Sequence, residues 1–261
     1  MNCAFPGKVV VVTGASRGIG LLLTRRFAQA GAHVVFGARR IEPLKMLETE
    51  LQSVGYQAVA VAADVGRQED CRRLVETAIE RFGTIDILVN NAGISGVQKP
   101  CWEIDCAELD EVMRVNVHGP LACIRYAAPH MIKKRAGVII NIGSFTGKRP
   151  AANRTVYATS KMALVGLTRT AALELSAHQV RCNLISPGPV AGERVEEVVA
   201  NAAKAQNLSH DEIRKSFVSW MPLGDMVTEP EICDMVFFLA SDSGKHMTGQ
   251  DIMMDSGIVM Y

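Results

Sequence analysis

The chain has 261 residues, enough for one sizeable core, and its 48% hydrophobic and 21% charged content is ordinary for a globular protein. Lys plus Arg at 28 against Asp plus Glu at 27 leaves a net charge of +1. That balance removes the bulk electrostatic case for nucleic acid or an anionic membrane as the main ligand.

Strand and helix signals alternate along nearly the whole chain. Val9–Val12 is a β-branched run closing on Thr13-Gly14, and Ile19–Ala30 then has helical periodicity and stops at Gly31. Val34–Gly37 reads as a second strand, Pro43–Val54 as a helix ending at Gly55, and Ala58–Ala62 as a third strand. Gln68–Phe82 reads as a helix ending at Gly83, and Ile85–Val89 as a fourth strand. This repeat of strand, helix and tight turn marks a parallel sheet covered on both faces, whose buried strands are continuously apolar, as these are.

The second half keeps the pattern. Asp105 with Glu108 predicts a capping box that opens one long helix reaching about Lys134. Val138–Ile142 is a fifth strand, Thr155–Ser176 another long helix, and Arg181–Ile185 a sixth strand. Residues 189–228 break the rhythm with two polar helical pieces, the second capped by Ser209 with Glu212. A Thr228/Glu231 box then precedes a helix over Ile232–Ala240, and Asp251–Asp255 is a last strand. The prediction is one α/β domain over residues 1–261, a doubly wound parallel sheet of seven strands. Residues 189–228 would be a lid-like excursion over a ligand.

Seven cysteines are an odd number, and none forms a CxxC pair. Free thiols in a reducing compartment fit better than a disulfide framework. Six scattered histidines and these cysteines have no zinc-ligand spacing, so no metal is expected. The N-terminus lacks a basic start, apolar stretch and cleavage site, and no window approaches 18 apolar residues. A cytoplasmic protein without membrane contact is the expectation.

Thr13-Gly14-Ala15-Ser16-Arg17-Gly18-Ile19-Gly20 joins the first strand to the first helix. Glycines there let the backbone approach a pyrophosphate, whose charge meets the free N–H groups of the helix start. The spacing is GxxxGxG rather than GxGxxG, and a tight strand–helix turn alone also accounts for it. At the end of the second strand, where a carboxylate would bind the ribose hydroxyls of NAD, stand Ala38, Arg39 and Arg40. With Arg17 in the turn, cationic forks tilt the choice towards the 2′-phosphate of NADP. Two solvent-facing arginines are the plainer alternative. Asp64, just past the third strand, could accept from an adenine amino group or cap the next helix.

Tyr157 and Lys161 lie four apart on one helix face, where the ammonium favours the phenolate that a general acid/base near neutrality needs. Ser144 follows the fifth strand, at the edge where parallel sheets bind ligands, and its hydroxyl can bond a reacting oxygen. Asn116 sits inside a helix, where Asn is mildly unfavourable. Singly each has a bland reading, since Tyr–Lys pairs are common on helix surfaces and Ser144 can be a turn residue. Their joint placement beside a nucleotide turn is what points to chemistry.

With these motifs the chain resembles the classical short-chain dehydrogenase/reductase family over nearly its whole length. The matching features are the Thr13–Gly20 turn, Asp64, Asn90-Asn91-Ala92-Gly93, Asn116, Ser144, Tyr157, Lys161 and Pro187-Gly188. The resemblance implies that Tyr157 passes a proton to or from the substrate oxygen. It implies that Lys161 tunes Tyr157 and holds the nicotinamide ribose, that Ser144 polarises the carbonyl, and that Asn116 holds a water linking Lys161 to solvent. Cofactor contacts would come from Gly14, Ser16, Arg17, Gly18, Ile19, Gly20, Arg39, Asp64, Val65, Asn91, Ala92, Gly93, Tyr157, Lys161, Pro187, Gly188 and Val190. NADP-preferring members have basic residues where Arg17 and Arg39 stand. Members of this size usually form dimers or tetramers through the two long helices.

One departure stands out. Many members carry Pro-Gly-x-x-x-Thr, whose Thr binds the nicotinamide carboxamide, and this chain has Pro187-Gly188-Pro189-Val190-Ala191-Gly192. Cofactor grip there would then come from backbone groups or a shifted lid.

Candidates for the substrate pocket are Ser95 to Gln98, Phe145, Thr146, Arg154 and the stretch after Gly188. Lys148, Arg149 and Arg154 could receive an anionic group or form a surface charge run. Glu193, Arg194, Glu196 and Glu197 read as the wet face of the lid helix. Phe217, Trp220 and Met221 would close over substrate or be core.

The expected activity is an NADP(H)-dependent oxidoreductase interconverting a small ketone or aldehyde and its alcohol. Alternatives are an NAD-dependent alcohol or dihydrodiol dehydrogenase, a 3-oxoacyl-(acyl-carrier-protein) reductase-like enzyme, or a non-enzymatic nucleotide-binding protein.

Overall fold

A computed structural model describes residues 4–192, 195–196, 199–200, 203–204 and 207–260. Seven strands form one sheet: β1 (Val9–Thr13), β2 (His33–Ala38), β3 (Ala58–Ala62), β4 (Ile87–Asn90), β5 (Gly137–Ile142), β6 (Val180–Pro187) and β9 (Asp251–Met254). All pairings in it are parallel, in the order β3-β2-β1-β4-β5-β6-β9. The order reverses between β1 and β4, and open α/β sheets bind ligands at such a switch point, outside the carboxyl ends of the strands. The short strands β7 (Val190–Ala191) and β8 (Val227–Thr228) pair with each other.

Strand composition explains the two layers of helices. In β1, Val10 and Val12 face one core and Val9 and Val11 the other, so both faces demand apolar residues. On the first face pack α1 (Gly18–Gln29), α2 (Ile41–Ser53) and α8 (Glu229–Ala240). Phe5, Phe27 and Phe237 meet there with ring centroids 4.5 to 5.2 Å apart. On the second face pack α3 (Gln68–Phe82), α5 (Gly119–Lys134) and α6 (Thr155–Ser176), with Leu74, Cys123, Met131 and Leu175 among their buried residues.

Three sequence expectations are corrected. The fourth strand starts at Ile87 rather than Ile85, because the Asp86 carboxylate turns back to accept from the Val9 amide at 2.8 Å and the Ile85 carbonyl accepts from Lys134 Nζ. The long helix is continuous but not uniform: α4 (Cys106–Met113) keeps the Asp105/Glu108 box, a wider π turn follows over Arg114–His118 with the backbone still helical, and α5 continues from Gly119 with Pro120 in its first turn. Asp64 does not cap α3, whose N-cap is Arg67 without a side-chain bond; its Oδ1 instead accepts from the Gly66 amide at 2.9 Å.

In the excursion, α7 (His210–Val218) carries the Ser209/Glu212 box, and the Thr228/Glu231 box starts α8. The candidates Glu193, Arg194 and Glu197 and the Phe217 side chain lie outside the described residues. Met221 is buried with Met226 and Ile258 in a satellite core that Phe145 and Trp220 join, which places Met221 as packing.

Candidate active site

The β1–α1 turn is built around close backbone approach. Gly14 has φ +70°, and a Cβ on it would lie 2.8 Å from Ala92 Cα. Gly20 faces the Asn91 amide, whose Nδ2 a Cβ would meet at 2.5 Å. Asn91 Nδ2 donates to the Thr13 and Gly14 carbonyls at 3.0 and 3.2 Å, and Thr13 Oγ1 accepts from the amides of Asn91 and Ala92, each at 3.0 Å. These bonds tie the Asn90–Gly93 segment to the turn across the switch point.

The start of α1 fits an anion. Its N-cap Arg17 makes no side-chain cap and no acidic residue occupies the helix's own first turn, so its leading N–H groups have no intrahelical partner, although Glu229 Oε1 lies 3.2 Å from where a Cβ would sit on Gly18. Arg17, Arg39 and Arg40 are exposed and form no ion pair among the described residues, and Ala38 is buried at the strand end. Asp64 Oδ2 lies 3.7 Å from Arg114 Nη1, and Val65 is buried beneath that loop. A dinucleotide with its pyrophosphate on the turn suits this donor set.

At the carboxyl ends of β4 and β5 the expected catalytic residues converge. Lys161 is 5% exposed; its Nζ donates to the Ile142 carbonyl at 2.8 Å and lies 5.6 Å from the Tyr157 ring centroid. A Cβ on Gly93 would sit 3.3 Å from Asn116 Oδ1 and 3.5 Å from Lys161 Nζ, so both groups border that glycine. Ser144 Oγ donates to Thr146 Oγ1 and accepts from the Thr146 amide, both at 3.2 Å. Tyr157 is half-buried.

The π turn explains Asn116. That fully buried side chain clamps the Ile94 backbone, accepting from its N–H at 2.8 Å and donating to its C=O at 2.9 Å. Its second amide hydrogen goes to Ser160 Oγ at 3.0 Å, and Ser160 donates in turn to the Tyr157 carbonyl at 2.8 Å. Both amide hydrogens are thereby used, so a water held here must bond the second lone pair of Oδ1 or the backbone carbonyl. Sequence reasoning missed Ser160; a serine one residue before the Lys161 position carries no separate signal. It also missed the buried chain from Asn90 Nδ2 to Asn141 Oδ1 and from Asn141 Nδ2 to Thr168 Oγ1, each 2.9 Å.

Downstream, Gly188 approaches Asp255, whose Cα a Cβ would meet at 2.7 Å. Gly192 has φ +151°, with Glu229 Oε1 3.7 Å from its Cβ position. A threonine there would be strained, a local reason for the departure noted above.

The basic trio divides. Lys148 is no anion receptor and no surface charge, because it is paired with buried Asp251. Arg149 lies 4.9 Å over the Trp220 ring and donates to the Ile258 carbonyl at 3.4 Å. Arg154 lies 4.7 Å over the Tyr157 ring, at the active edge. Among thiols, burial pushes Cys182 and Cys233 up to about 12. The bond to Cys123 holds Cys71 below its ordinary value and, with burial, drives Cys123 well above it.

Residues 8–203 match the family model described as short chain dehydrogenase. The chain is 33% identical to a 3-oxoacyl-[acyl-carrier-protein] reductase of Thermotoga maritima, covering 97% of this chain and 98% of that protein. It is 32% identical to an uncharacterized oxidoreductase of Bacillus subtilis, over 96% and 97% of the two. Among solved structures, NAD+-bound xylitol dehydrogenase superposes with a TM-score of 0.90 at 31% identity, covering 97% of this chain and 99% of that one. Levodione reductase superposes at 0.89 and 29% identity, over 97% and 98%.

Proposed function

The chain belongs to the classical short-chain dehydrogenase/reductase family of NAD(P)-dependent oxidoreductases acting on CH–OH groups, and from that premise we propose that it is an NADP(H)-dependent carbonyl reductase or alcohol dehydrogenase of a small molecule. The observation that carries the reading is the buried Lys161 ammonium, held by the Ile142 carbonyl within 5.6 Å of the Tyr157 ring. A charge is costly to bury, and this one lies beside the Tyr157 ring.

In this reading a bound nicotinamide supplies or accepts the hydride. Tyr157 gives its hydroxyl proton to the substrate oxygen in reduction and takes it back in oxidation. Lys161 stabilises the phenolate left behind and binds the nicotinamide ribose. Ser144 turns its hydroxyl from Thr146 to the substrate oxygen, where a donor is worth most as negative charge develops. Asn116 fixes Ile94 and, through Ser160, the backbone of Tyr157. Gly14, Ser16, Gly18, Ile19 and Gly20 receive the pyrophosphate end; Asp64, Val65, Asn91, Ala92 and Gly93 line the cleft; Pro187, Gly188 and Val190 meet the nicotinamide end.

Arg17 and Arg39 support NADP, since no described carboxylate competes for either. NAD is the second reading, favoured by the NAD+-bound state of the similar xylitol dehydrogenase. Ethyl acetoacetate, a β-keto ester, is a suitable reduction probe given the likeness to a 3-oxoacyl reductase. Tyr157→Phe should lower its turnover by about 10²- to 10⁴-fold while NADPH binding persists. Turnover unchanged in that variant would contradict the assignment.

Residues 189–228 act as a lid in this account, and the chain works as a homodimer or homotetramer. Leu121 on α5 and Met162 and Leu173 on α6 are exposed large apolar residues on the two long helices. The free thiols fit a reducing compartment such as the cytoplasm.

A further inference from the structure

Lys148 and Asp251 form an ion pair that hydride transfer does not require. Their side chains are 7% and 5% exposed. Asp251, the first residue of β9, takes the Lys148 ammonium on Oδ2 and accepts from the Ser186 hydroxyl on Oδ1 at 2.7 Å. Lys148 Nζ also lies 3.1 Å from Met253 Sδ. Burial pushes the Lys148 ammonium down to about 8, with Arg169 adding to the shift and Asp255 opposing it, so it stays mostly charged at neutral pH.

The two ends of this cluster flank Ser144. On the near side, Ser186 Oγ is 2.8 Å from where a Cβ would sit on Gly143, the residue before Ser144, and the Gly143 amide donates to Ile185 at 2.6 Å. On the far side, Lys148 closes the tight turn Phe145–Gly147 that Ser144 begins. Its amide donates to the Phe145 carbonyl at 2.8 Å, and the Gly147 amide to the Ser144 carbonyl at 3.2 Å. That turn is pressed on α6, since a Cβ on Gly147 would lie 3.0 Å from the Met162 amide nitrogen.

We infer that Asp251, through Lys148 on one flank and Ser186 on the other, is a positioning residue that sets where the Ser144 hydroxyl meets the substrate oxygen. This rests on the role proposed for Ser144. An apolar pair of similar size would preserve the stability of the fold at least as well, because burying two charges offsets most of their attraction. What the ionic pair adds is direction: the ammonium, buried four residues after Ser144, is anchored on a carboxylate of fixed orientation.

The test uses Lys148→Met/Asp251→Leu, which removes both charges together, and Ser186→Ala, which leaves them paired. Amide hydrogen exchange needs no substrate. Both variants should exchange faster across 143–149, about tenfold in the double variant, with β1 and β4 unchanged. With ethyl acetoacetate and NADPH, kcat of the double variant should fall about ten- to a hundredfold at constant KM for NADPH. In a Ser144→Ala background the same pair of substitutions should add no further loss. Unchanged exchange across 143–149, or a loss that multiplies fully with that of Ser144→Ala, overturns the inference. If the double variant does not fold, Ser186→Ala decides on the same two readouts. A rate unchanged in Ser144→Ala alone would instead refute the role proposed for Ser144, and the exchange result would still report whether the pair holds the loop.

Discussion

Lys161 and Arg39 illustrate two uses of a cation in one cleft. Lys161 is buried and fixed by a carbonyl, 5.6 Å from the Tyr157 ring centroid, where the proposed chemistry needs its charge. Arg39 is exposed at the end of β2, where its guanidinium can meet a phosphate without losing most of its hydration. A charge-assisted hydrogen bond is worth about 1.5–3 kcal/mol, and each 1.4 kcal/mol is about tenfold in affinity. Arg39→Ser should therefore weaken NADPH by roughly ten- to a hundredfold and leave NADH nearly unchanged; equal losses for both would contradict a phosphate site at Arg39. The cysteines obey the same logic of burial. At pH 8 a thiol at about 12 is about 10⁻⁴ thiolate, and the thiolate is the nucleophile. Iodoacetamide mapping of the native protein should label exposed Cys101 and Cys106 and spare Cys182 and Cys233. Labelling at the buried pair would mean that the sheet opens on that timescale.

At the scale of elements, the β1–α1 turn carries the most constraint. Gly14→Ala places a side chain at φ +70°, which costs about 1–2 kcal/mol, and against the Ala92 backbone, which cannot swing away. A thermal melt several degrees lower and loss of NADPH binding are expected, and a variant that binds normally would contradict the packed turn. The strands, α3, α6 and the three capping boxes were legible because period and cap chemistry are local. The π turn between α4 and α5 was not. It carries Asn116, which bonds both the N–H and the C=O of Ile94, a pairing across the chain that helical periodicity does not show. Likewise Tyr157, Lys161, Ser144 and Asn116 could be named from motif and spacing, whereas Ser160 and the Lys148–Asp251 pair could not. Their partners lie up to 103 residues apart or show no distinctive pattern. The glycine at 192 read as a missing threonine until its backbone angle gave it a reason.

For the whole molecule, several large apolar side chains are exposed, among them Leu121 on α5 and Met162 and Leu173 on α6. Met162 and Leu173 are 53% and 77% exposed, and Met162 borders a shallow hollow lined by Thr146, Gly147, Pro150, Ala158, Thr159 and Ala163. Burying such a side chain stabilises by about 1.5–3 kcal/mol, and a two-fold interface counts each residue twice. Met162→Glu/Leu173→Glu should shift the protein to smaller species in light scattering behind a sizing column. A mass already that of one chain in the unmodified protein would contradict association through this face.

A cleft that joins a phosphate-reading cofactor site to the Tyr157–Lys161 pair should discriminate between cofactors in a parallel titration with NADPH and NADH at one ionic strength, followed by nicotinamide fluorescence. NADPH should bind at least about tenfold tighter, about 1.4 kcal/mol. Tighter binding of NADH would contradict the assignment of Arg17 and Arg39, and binding of neither would contradict the cleft itself.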